Sequence, residues 1–525
     1  MRKTTGCLIC GFLLLAGTVK AEETVVPRFE IKNIFLKGNT ILPPQEVASI
    51  LHKYSGSQKN FGTLQEAMDE LEAAYRKRGF TMVTVLLPEQ ELEKGEVTFN
   101  VLESTIQEIT VEGNQHYSRD NILRSLPDLK IGQSPRVSLI SENLRAVNEN
   151  PAKKLTLQFK SGEKDTDLTA QLKVTDKKPW QITLTGDNTG SSTTGDYRTG
   201  LAFQHFNLFD LDHVLAMQYI TSPDHFEKVQ VFSGSYRLPL YNWGDTLDFF
   251  GAYSDVDSGT VQISGTNISV SGNGIISGIR YNKTLPRLGA YEQKLIGGMD
   301  YRRYDNSAIA LGEELAKDIV AHPFNLTYGG TWNNKFITLD GALGLLYNIP
   351  WGDKGEKRDF EAVRNGAAAD YLIGRYNVSA VIRPGGDWIV RLLGTGQYTD
   401  NRLIPGEQFG LGGSNSIRGY EEREEAWDNG LSATAELYSP DLAGLMEFKK
   451  VQLRLVGFYD SGYGYNQRPN TGELDHHSLS GAGLGVRLGA GENLNFQLDW
   501  GHALDTSTTT RRGDDRIHFK VSVSY

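Results

Sequence analysis

Asp514-Asp515-Arg516-Ile517-His518-Phe519-Lys520-Val521-Ser522-Val523-Ser524-Tyr525 closes the chain and decides its fold. Ile517, Phe519, Val521, Val523 and Tyr525 are apolar or aromatic at every second position, and His518, Lys520, Ser522 and Ser524 fall between them. A period of two gives a strand one wet face and one greasy face. Soluble sheets alternate too, but seldom as closing residues with an aromatic at the very end. The expectation is a transmembrane strand, and with it a transmembrane antiparallel β-barrel.

Composition is compatible with that reading and does not force it. The chain has 525 residues, enough for two to four domains, of which 39% are hydrophobic. Its mean hydropathy of −0.38 looks soluble. Past the N-terminus no stretch approaches the 18 or so apolar residues of a membrane helix. A barrel hides its membrane character, because lipid-facing and lumen-facing residues alternate and average out. A large soluble β protein would have the same composition.

The N-terminus fixes the compartment. Arg2 and Lys3 precede an apolar run from Cys7 to Gly17, and Val19-Lys20-Ala21 ends in a small residue before Glu22-Glu23. Residues 1–21 read as a secretory signal peptide cleaved after Ala21; the run is too short for a membrane anchor. Cys7 and Cys10, the only cysteines, lie inside it, so neither a disulfide framework nor a thiolate metal site is expected. Losing Arg2, Lys3 and Lys20 takes the formal charge from −10 to −13, which argues against nucleic acid as a partner.

Residues 29 to 178 read as two similar α+β units, 29–103 and 104–178. In the first, Phe29–Leu36 is a strand ending at the turn Gly38-Asn39, and a short helix spans Glu46–His52. A longer helix, Leu64–Arg78, turns Leu64, Ala67, Met68, Leu71, Ala74 and Tyr75 to one side. Thr63 and Glu66 suggest a capping box at its start and Gly79 a stop at its end. Thr81–Leu87 and Glu96–Leu102 are strands. The order recurs with strand Thr105–Glu112, turn Gly113-Asn114, helices Ser118–Ser125 and Val137–Asn148, and strands Leu155–Lys160 and Leu168–Thr175. Periodicity alone leaves generic α+β domains open.

From Trp180 alternation replaces helical periodicity. About sixteen strands begin near Trp180, Tyr197, His213, Glu227, Thr246, Gly274, Lys294, His322, Phe336, Tyr371, Trp388, Gly430, Val451, Ser480, Asn493 and Arg516. Merging or splitting of segments would give fourteen or eighteen. Connections after even-numbered strands are mostly tight, as at Asn333-Asn334, Pro384–Asp387 and Gly489–Glu492. Those after odd-numbered strands are mostly long: 258–272, 305–317, 350–367, 400–429 and 463–479. Short turns on one side and long loops on the other are the pattern of an outer-membrane barrel.

No enzyme motif is present, neither a nucleophile elbow, nor H-E-x-x-H, nor a P-loop, and no cofactor or metal is expected. His476-His477 reads as part of a solvated external loop. The informative constellation lies in the last third. Gly406-Glu407-Gln408-Phe409-Gly410-Leu411-Gly412-Gly413-Ser414-Asn415-Ser416-Ile417-Arg418-Gly419-Tyr420 sits in the loop 400–429. Gly457-Phe458-Tyr459-Asp460-Ser461-Gly462 sits on the thirteenth strand. There Val451, Leu453, Leu455 and Tyr459 share the greasy parity, so Arg454, Phe458 and Asp460 should face the lumen. On the next strand Ala482, Leu484, Val486 and Leu488 face lipid, leaving Gly481, Gly483, Gly485, Arg487 and Gly489 inward. A glycine wall has room for something to fold against it. The expected occupant is the loop, with Arg418 paired two-pronged to Asp460. Spacing alone leaves open an ordinary loop arginine and a water-facing aspartate.

Arg418-Gly419-Tyr420 after Leu411-Gly412-Gly413, followed by Phe458-x-Asp460-x-Gly462, resembles the paired motifs of TpsB transporters of two-partner secretion, the haemolysin secretion/activation protein family of POTRA-bearing barrels. The likeness continues through Asn150-Pro151, Lys177-Lys178-Pro179-Trp180, Gly186-Asp187-Asn188-Thr189-Gly190 and Thr194-Gly195-x-x-Arg198. It implies a sixteen-stranded outer-membrane barrel, residues 179–525, behind two periplasmic POTRA domains. Its function would be to translocate, with or without activating it, a large β-helical exoprotein such as a haemolysin, adhesin or contact-dependent toxin. It implies that Gly412, Gly413, Ile417, Arg418, Gly419 and Tyr420 form an inward loop tip, with Phe458, Asp460 and Gly462 as its barrel-wall partner. Outer-membrane lipid and, during biogenesis, the barrel-assembly machinery are the other implied partners. Ile417 stands where the family often has valine. About seven residues separate Ala21 from the first strand, too few for the N-terminal plug helix some members carry. The rival readings are a barrel-assembly factor of the same superfamily and a passive porin or uptake channel.

Overall fold

The computed structural model describes residues 27–92, 94–164, 166–191, 194–254, 259–263, 266–270, 273–305, 309–310, 313–314, 318–448 and 450–525. The expected signal peptide and residues 22–26 of the spacer after it lie outside the described residues. Two compact units emerge. One comprises the residues up to Glu108 with Lys130–Leu139 and Phe159–Thr169; the other comprises Ile109–Leu129, Ile140–Gln158 and Ala170–Tyr525.

In the first unit a three-stranded sheet sets Asn33–Lys37 parallel to Glu96–Glu103, which runs antiparallel to Val83–Leu86. Leu64, Ala67, Leu71 and Tyr75 of the helix Phe61–Lys77 pack on Val97, Phe99 and Val101 from the sheet's inner face. Two expectations fail here. The helix starts a turn earlier, because the Asn60 side chain caps it by accepting from the Thr63 amide at 3.0 Å, so no Thr63 capping box forms. The single strand Phe29–Leu36 is two, Phe29–Ile31 and Asn33–Lys37, broken where the Lys32 and Asn33 amides both turn to the Gly95 carbonyl. Downstream, Thr105–Glu112, Asp167–Asp176 and Lys153–Ser161 form a second sheet with the same order. Ser118 caps the helix Arg119–Arg124.

The barrel is closed and antiparallel, with sixteen strands. They run Trp180–Asp187, Arg198–Leu208, His213–Thr221, Gln230–Leu240, Asp245–Ser254, Asn273–Leu288, Tyr291–Asp305, Ile319–Asn333 (interrupted at His322), Ile337–Asn348, Leu372–Gly385, Trp388–Tyr398, Asn429–Tyr438, Val451–Tyr465, His476–Ala490, Leu494–Ala503 and Asp515–Ser524. His476 and His477 therefore belong to the fourteenth strand, not to a loop. The ladder with the thirteenth strand extends to Tyr465↔His476, and His477 bonds Glu425 at 2.8 Å. The exception to tight even-numbered turns is the connection 439–450, which holds the helical turn Leu442–Leu445.

The seam is the shortest ladder in the barrel, running from Lys520↔Asp187 to Ser524↔Thr183. At one end Ile182 and Tyr525 exchange backbone bonds of 3.0 and 2.8 Å, and their neighbourhood is wedged by Trp180 against Tyr525, ring centroids 5.8 Å apart. Lys178 sits over both rings. At the other end Asp187 stops the first strand by accepting from the Thr189 amide and hydroxyl. The ladder is continued by a side chain: Asn188 Nδ2 donates to Ile517 O at 2.6 Å and its Oδ1 accepts from Phe519 N at 2.9 Å. An unpaired backbone group at membrane depth costs several kcal/mol. Asn188→Ala should therefore lower the temperature at which the barrel converts from its compact to its unfolded electrophoretic form by roughly 5–10 °C. An unchanged transition would count against this role of the side chain.

Candidate functional site

The loop between the eleventh and twelfth strands turns back into the barrel as a small hairpin, Phe409–Leu411 paired with Glu425–Trp427. Leu411, Ile417, Tyr420 and Trp427 cluster with Leu479 and Ala503 of the wall, fully or almost fully buried. This greasy contact carries the hairpin, and the tip beyond it carries charge.

Arg418 is the centre of that tip. Its Nε and Nη2 donate to Asp460 Oδ2 and Oδ1, both at 2.8 Å, and its own backbone amide reaches Oδ2 at 3.1 Å. Nη1 donates to Glu436 Oε1 at 2.8 Å and lies 3.6 Å from Asp499 Oδ2. The guanidinium plane rests on the Phe458 ring, 3.5 Å from its centroid. Asp460 and Asp499 have no exposed side-chain surface. Asp499 is shared with Arg487, at 2.7 and 3.0 Å, and Glu436 with Arg391, at 3.4 Å, so three carboxylates face three guanidinium groups. The parity read from the strand sequence places these groups: Tyr459 and Leu455 are half exposed towards lipid while Phe458 and Asp460 are buried.

Glycine makes the seat. A Cβ on Gly481 would collide with the Arg418 carbonyl, and one on Gly501 would lie 2.6 Å from the Gly419 amide. A Cβ on Gly462 would lie 2.6 Å from Ile417 Cδ1. Gly419 itself has φ +102°, a backbone region closed to most side chains, and its amide donates to His518 Nε2 at 3.1 Å. Tyr420 then hooks over the rim, its hydroxyl donating towards the Ser480 and Asp505 carbonyls at 2.9 Å each. Gly412 and Gly413, with φ +103° and +101°, make the turn into the tip. Gly483 and Gly485 serve a different purpose from the one expected: the space beside them is filled by the wall's own Phe458, Asp499 and Arg487.

The base of the loop is anchored from the seventh to the eleventh strand, with Arg375 at 3.3 Å from Glu407 and Gln397 donating to its carbonyl at 2.9 Å. Glu407, fully buried, accepts from Arg302 Nη1 at 2.8 and 2.9 Å, Tyr304 at 2.8 Å and Tyr371 at 2.9 Å. Arg302 belongs to the seventh strand and Asp499 to the fifteenth, half the circumference apart. The loop therefore crosses the lumen.

Sequence reasoning missed Glu436, Asp499, Gly501 and His518, as well as the Arg302, Tyr304 and Tyr371 clamp. Inward parity was available as a signal for Glu436 on the twelfth strand, one residue from Leu437, and for His518 in the closing strand. Nothing local marks the Glu407 clamp, whose partners Arg302 and Tyr304 lie about 100 residues upstream in the chain and Tyr371 lies 36. Among the described residues no group of side chains could hold a metal ion.

Removing one partner of a dry ion pair costs on the order of 3–5 kcal/mol, because the other is left charged and unpaired. Arg418→Ala and Asp460→Ala should each free the tip, raising single-channel conductance in planar bilayers while the barrel keeps its heat-modifiable mobility. Gly501→Ala should do the same by steric means, with all charges kept. Wild-type currents from all three variants would show that the tip does not obstruct the lumen.

With this geometry in view, comparison with known proteins is specific. The family model described as haemolysin secretion/activation protein ShlB/FhaC/HecB matches residues 169–488, and that of the ShlB-type POTRA domain matches 29–104. The outer membrane transporter CdiB of Dickeya dadantii is 20% identical, covering 98% of this chain and 89% of its own. The hemolysin transporter protein ShlB of Serratia marcescens is 22% identical, covering 76% and 70%. The solved structure of CdiB from Escherichia coli superposes with TM-score 0.75 at 18% identity, over 97% of this chain and 93% of that one. BamA from Haemophilus ducreyi, lacking POTRA domains 1–3, shares the fold at TM-score 0.53 and 14% identity, over 95% and 100%. With the family model spanning well over half of its length, the chain belongs to the haemolysin secretion/activation protein family.

Proposed function

We propose that this protein is the outer-membrane pore of a two-partner secretion pair, and that the loop carrying Arg418 is the gate through which its exoprotein passes. The observation that carries the reading is the double clamp, Glu407 on the seventh strand and Arg418 on the thirteenth to fifteenth wall. A loop fixed at both sides of a lumen obstructs it. An ion pair with alternative partners in Glu436, Asp460 and Asp499 can be released by a charged or hydrogen-bonding chain without breaking the barrel.

The first POTRA unit is suited to receive that chain. Both outer strands of its sheet, Asn33–Lys37 and Val83–Leu86, pair on one side only. The face opposite the core exposes Phe35 at 47% and Leu86 at 44%. An extended segment can add to such an edge through main-chain hydrogen bonds while these apolar side chains select what docks. We assign 104–178 as the second POTRA domain on the strength of its repeated strand order. The exported partner is then a large secreted protein recognised while unfolded and folded only outside.

Exchanging residues 29–178 of the full-length chain for those of a distant family member should abolish secretion of the co-encoded exoprotein, with conductance changed less than about twofold. Full-rate secretion of the original exoprotein by the chimaera would place its recognition in the barrel instead.

A further inference from the structure

Outside the loop and its wall, the turn between the second and third barrel strands concentrates backbone strain. Phe209, Asp210 and Asp212 all have positive φ, at 60°, 58° and 59°. Three non-glycine residues in that region within four positions persist only where the surroundings hold them. The surroundings are residues 117–124 and 150–153, which belong to the same compact unit as the barrel.

The contacts are dense and polar. Ser118, the cap of the helix Arg119–Arg124, donates its hydroxyl to Asp210. Asn121 Nδ2 donates to Asn207 Oδ1 at 3.1 Å and to Asp210 O at 3.0 Å, where Arg124 Nη1 also donates at 3.1 Å. Asn150 Nδ2 donates to Phe206 O at 2.9 Å. Beneath them lies Lys153, its side chain 0% exposed. Its ammonium donates to Asp212 Oδ2 at 2.6 Å and to Asn121 Oδ1 at 2.7 Å, and lies 4.9 Å from the centre of the Tyr117 ring. Tyr241, from the next turn on the same side of the barrel, donates to the same Asp212 oxygen at 2.7 Å. Burial pushes the Lys153 pKa down, and Asp212 opposes that shift.

An apolar interface tolerates a slip of a residue or a few degrees. A fully buried ammonium does not, because any other docking leaves it without its counter-charge in a dry site. We propose that Lys153 and Asp212 are positioning residues for transport: their buried pair locks the segments 109–129 and 140–158 to the strained turn 207–212, fixing the angle at which these segments meet the barrel mouth. The proposal rests on the secretion reading for its purpose and not for its geometry.

The test uses the full-length protein, purified from outer membranes, with nitroxide labels on cysteines placed at the exposed positions Lys173 and Lys335. Cys7 and Cys10 are the chain's only native cysteines, and intact mass of the purified protein verifies that they contribute no label. Pulsed electron resonance should give one narrow distance distribution for the parent. Lys153→Met and Asp212→Asn should each broaden it at least twofold. Secretion should fall tenfold or more, with single-channel conductance within twofold of the parent. Tyr241→Phe removes one donor to Asp212 and leaves the charges in place; it should broaden the distribution to a lesser degree, and it carries the test if the charge variants do not insert. A distribution as narrow as the parent's in the variants overturns the lock. A broadened distribution with full secretion overturns its role in transport. The distance measurement needs no exoprotein, so failure of the secretion reading leaves the lock itself testable.

Discussion

Hydrocarbon offers a backbone amide no water to fall back on, and the rest of this structure depends on that constraint. Every strand of the barrel needs a neighbour on both sides, so the first and last strands must meet. They meet over the shortest ladder of the sixteen, and the chain makes up the difference with Asn188, whose side-chain amide presents a donor and an acceptor as a peptide group would. The terminal Tyr525 belongs to the same economy: its amide and carbonyl both bond Ile182, and its ring packs on Trp180. Lipid on the outside also dictates what the inside can be. With apolar side chains committed outward, charged residues are left for the lumen, where they must find one another.

That is how the loop comes to be held. Arg418 enters a wall that carries Glu436, Asp460 and Asp499; Arg391 and Arg487 of the wall partner Glu436 and Asp499, and Arg418 supplies the cation for Asp460. The wall accommodates the arginine's backbone because its nearest residues, Gly481 and Gly501, have no side chains to displace. Charge and absence of volume thus act together: the carboxylates select an arginine, and the glycines set how closely its peptide can approach. Phe458 supplies a third condition, a flat surface that suits a guanidinium better than a compact ammonium.

The barrel was legible in the sequence because lipid imposes a period-two code on each strand separately. Leu453, Leu455 and Tyr459 against Phe458 and Asp460 can be read without knowing which strand lies alongside. For the same reason the sixteen strand starts read from alternation lie within a few residues of those in the structure. What could not be read depends on register between strands. Asp499 approaches Arg418 only because it pairs with His518 on one side and Gly485 on the other, and Glu407 meets Arg302 only once the barrel has closed. The helix start at Phe61 is not legible for a local reason, since Thr63 and Asn60 both suit a cap and the choice falls to whichever residue the preceding strand leaves in extended conformation. His476 and His477 looked like loop residues because polarity marks both loops and the ends of strands that rise beyond the membrane.

The two anchors of the crossing loop lie eleven residues apart in the chain, Glu407 at one wall and Arg418 at the other. Freeing the Arg418 end leaves the tip tethered at the Glu407 end, and a tether of that length keeps the tip at an effective concentration on the order of millimolar at its own seat. Reclosure is then a unimolecular event that needs neither a nucleotide nor a partner. In the gate proposed above, the time the lumen stays open is set by whatever occupies it, and passage of a chain and resealing of the membrane behind it are successive states of one intramolecular equilibrium.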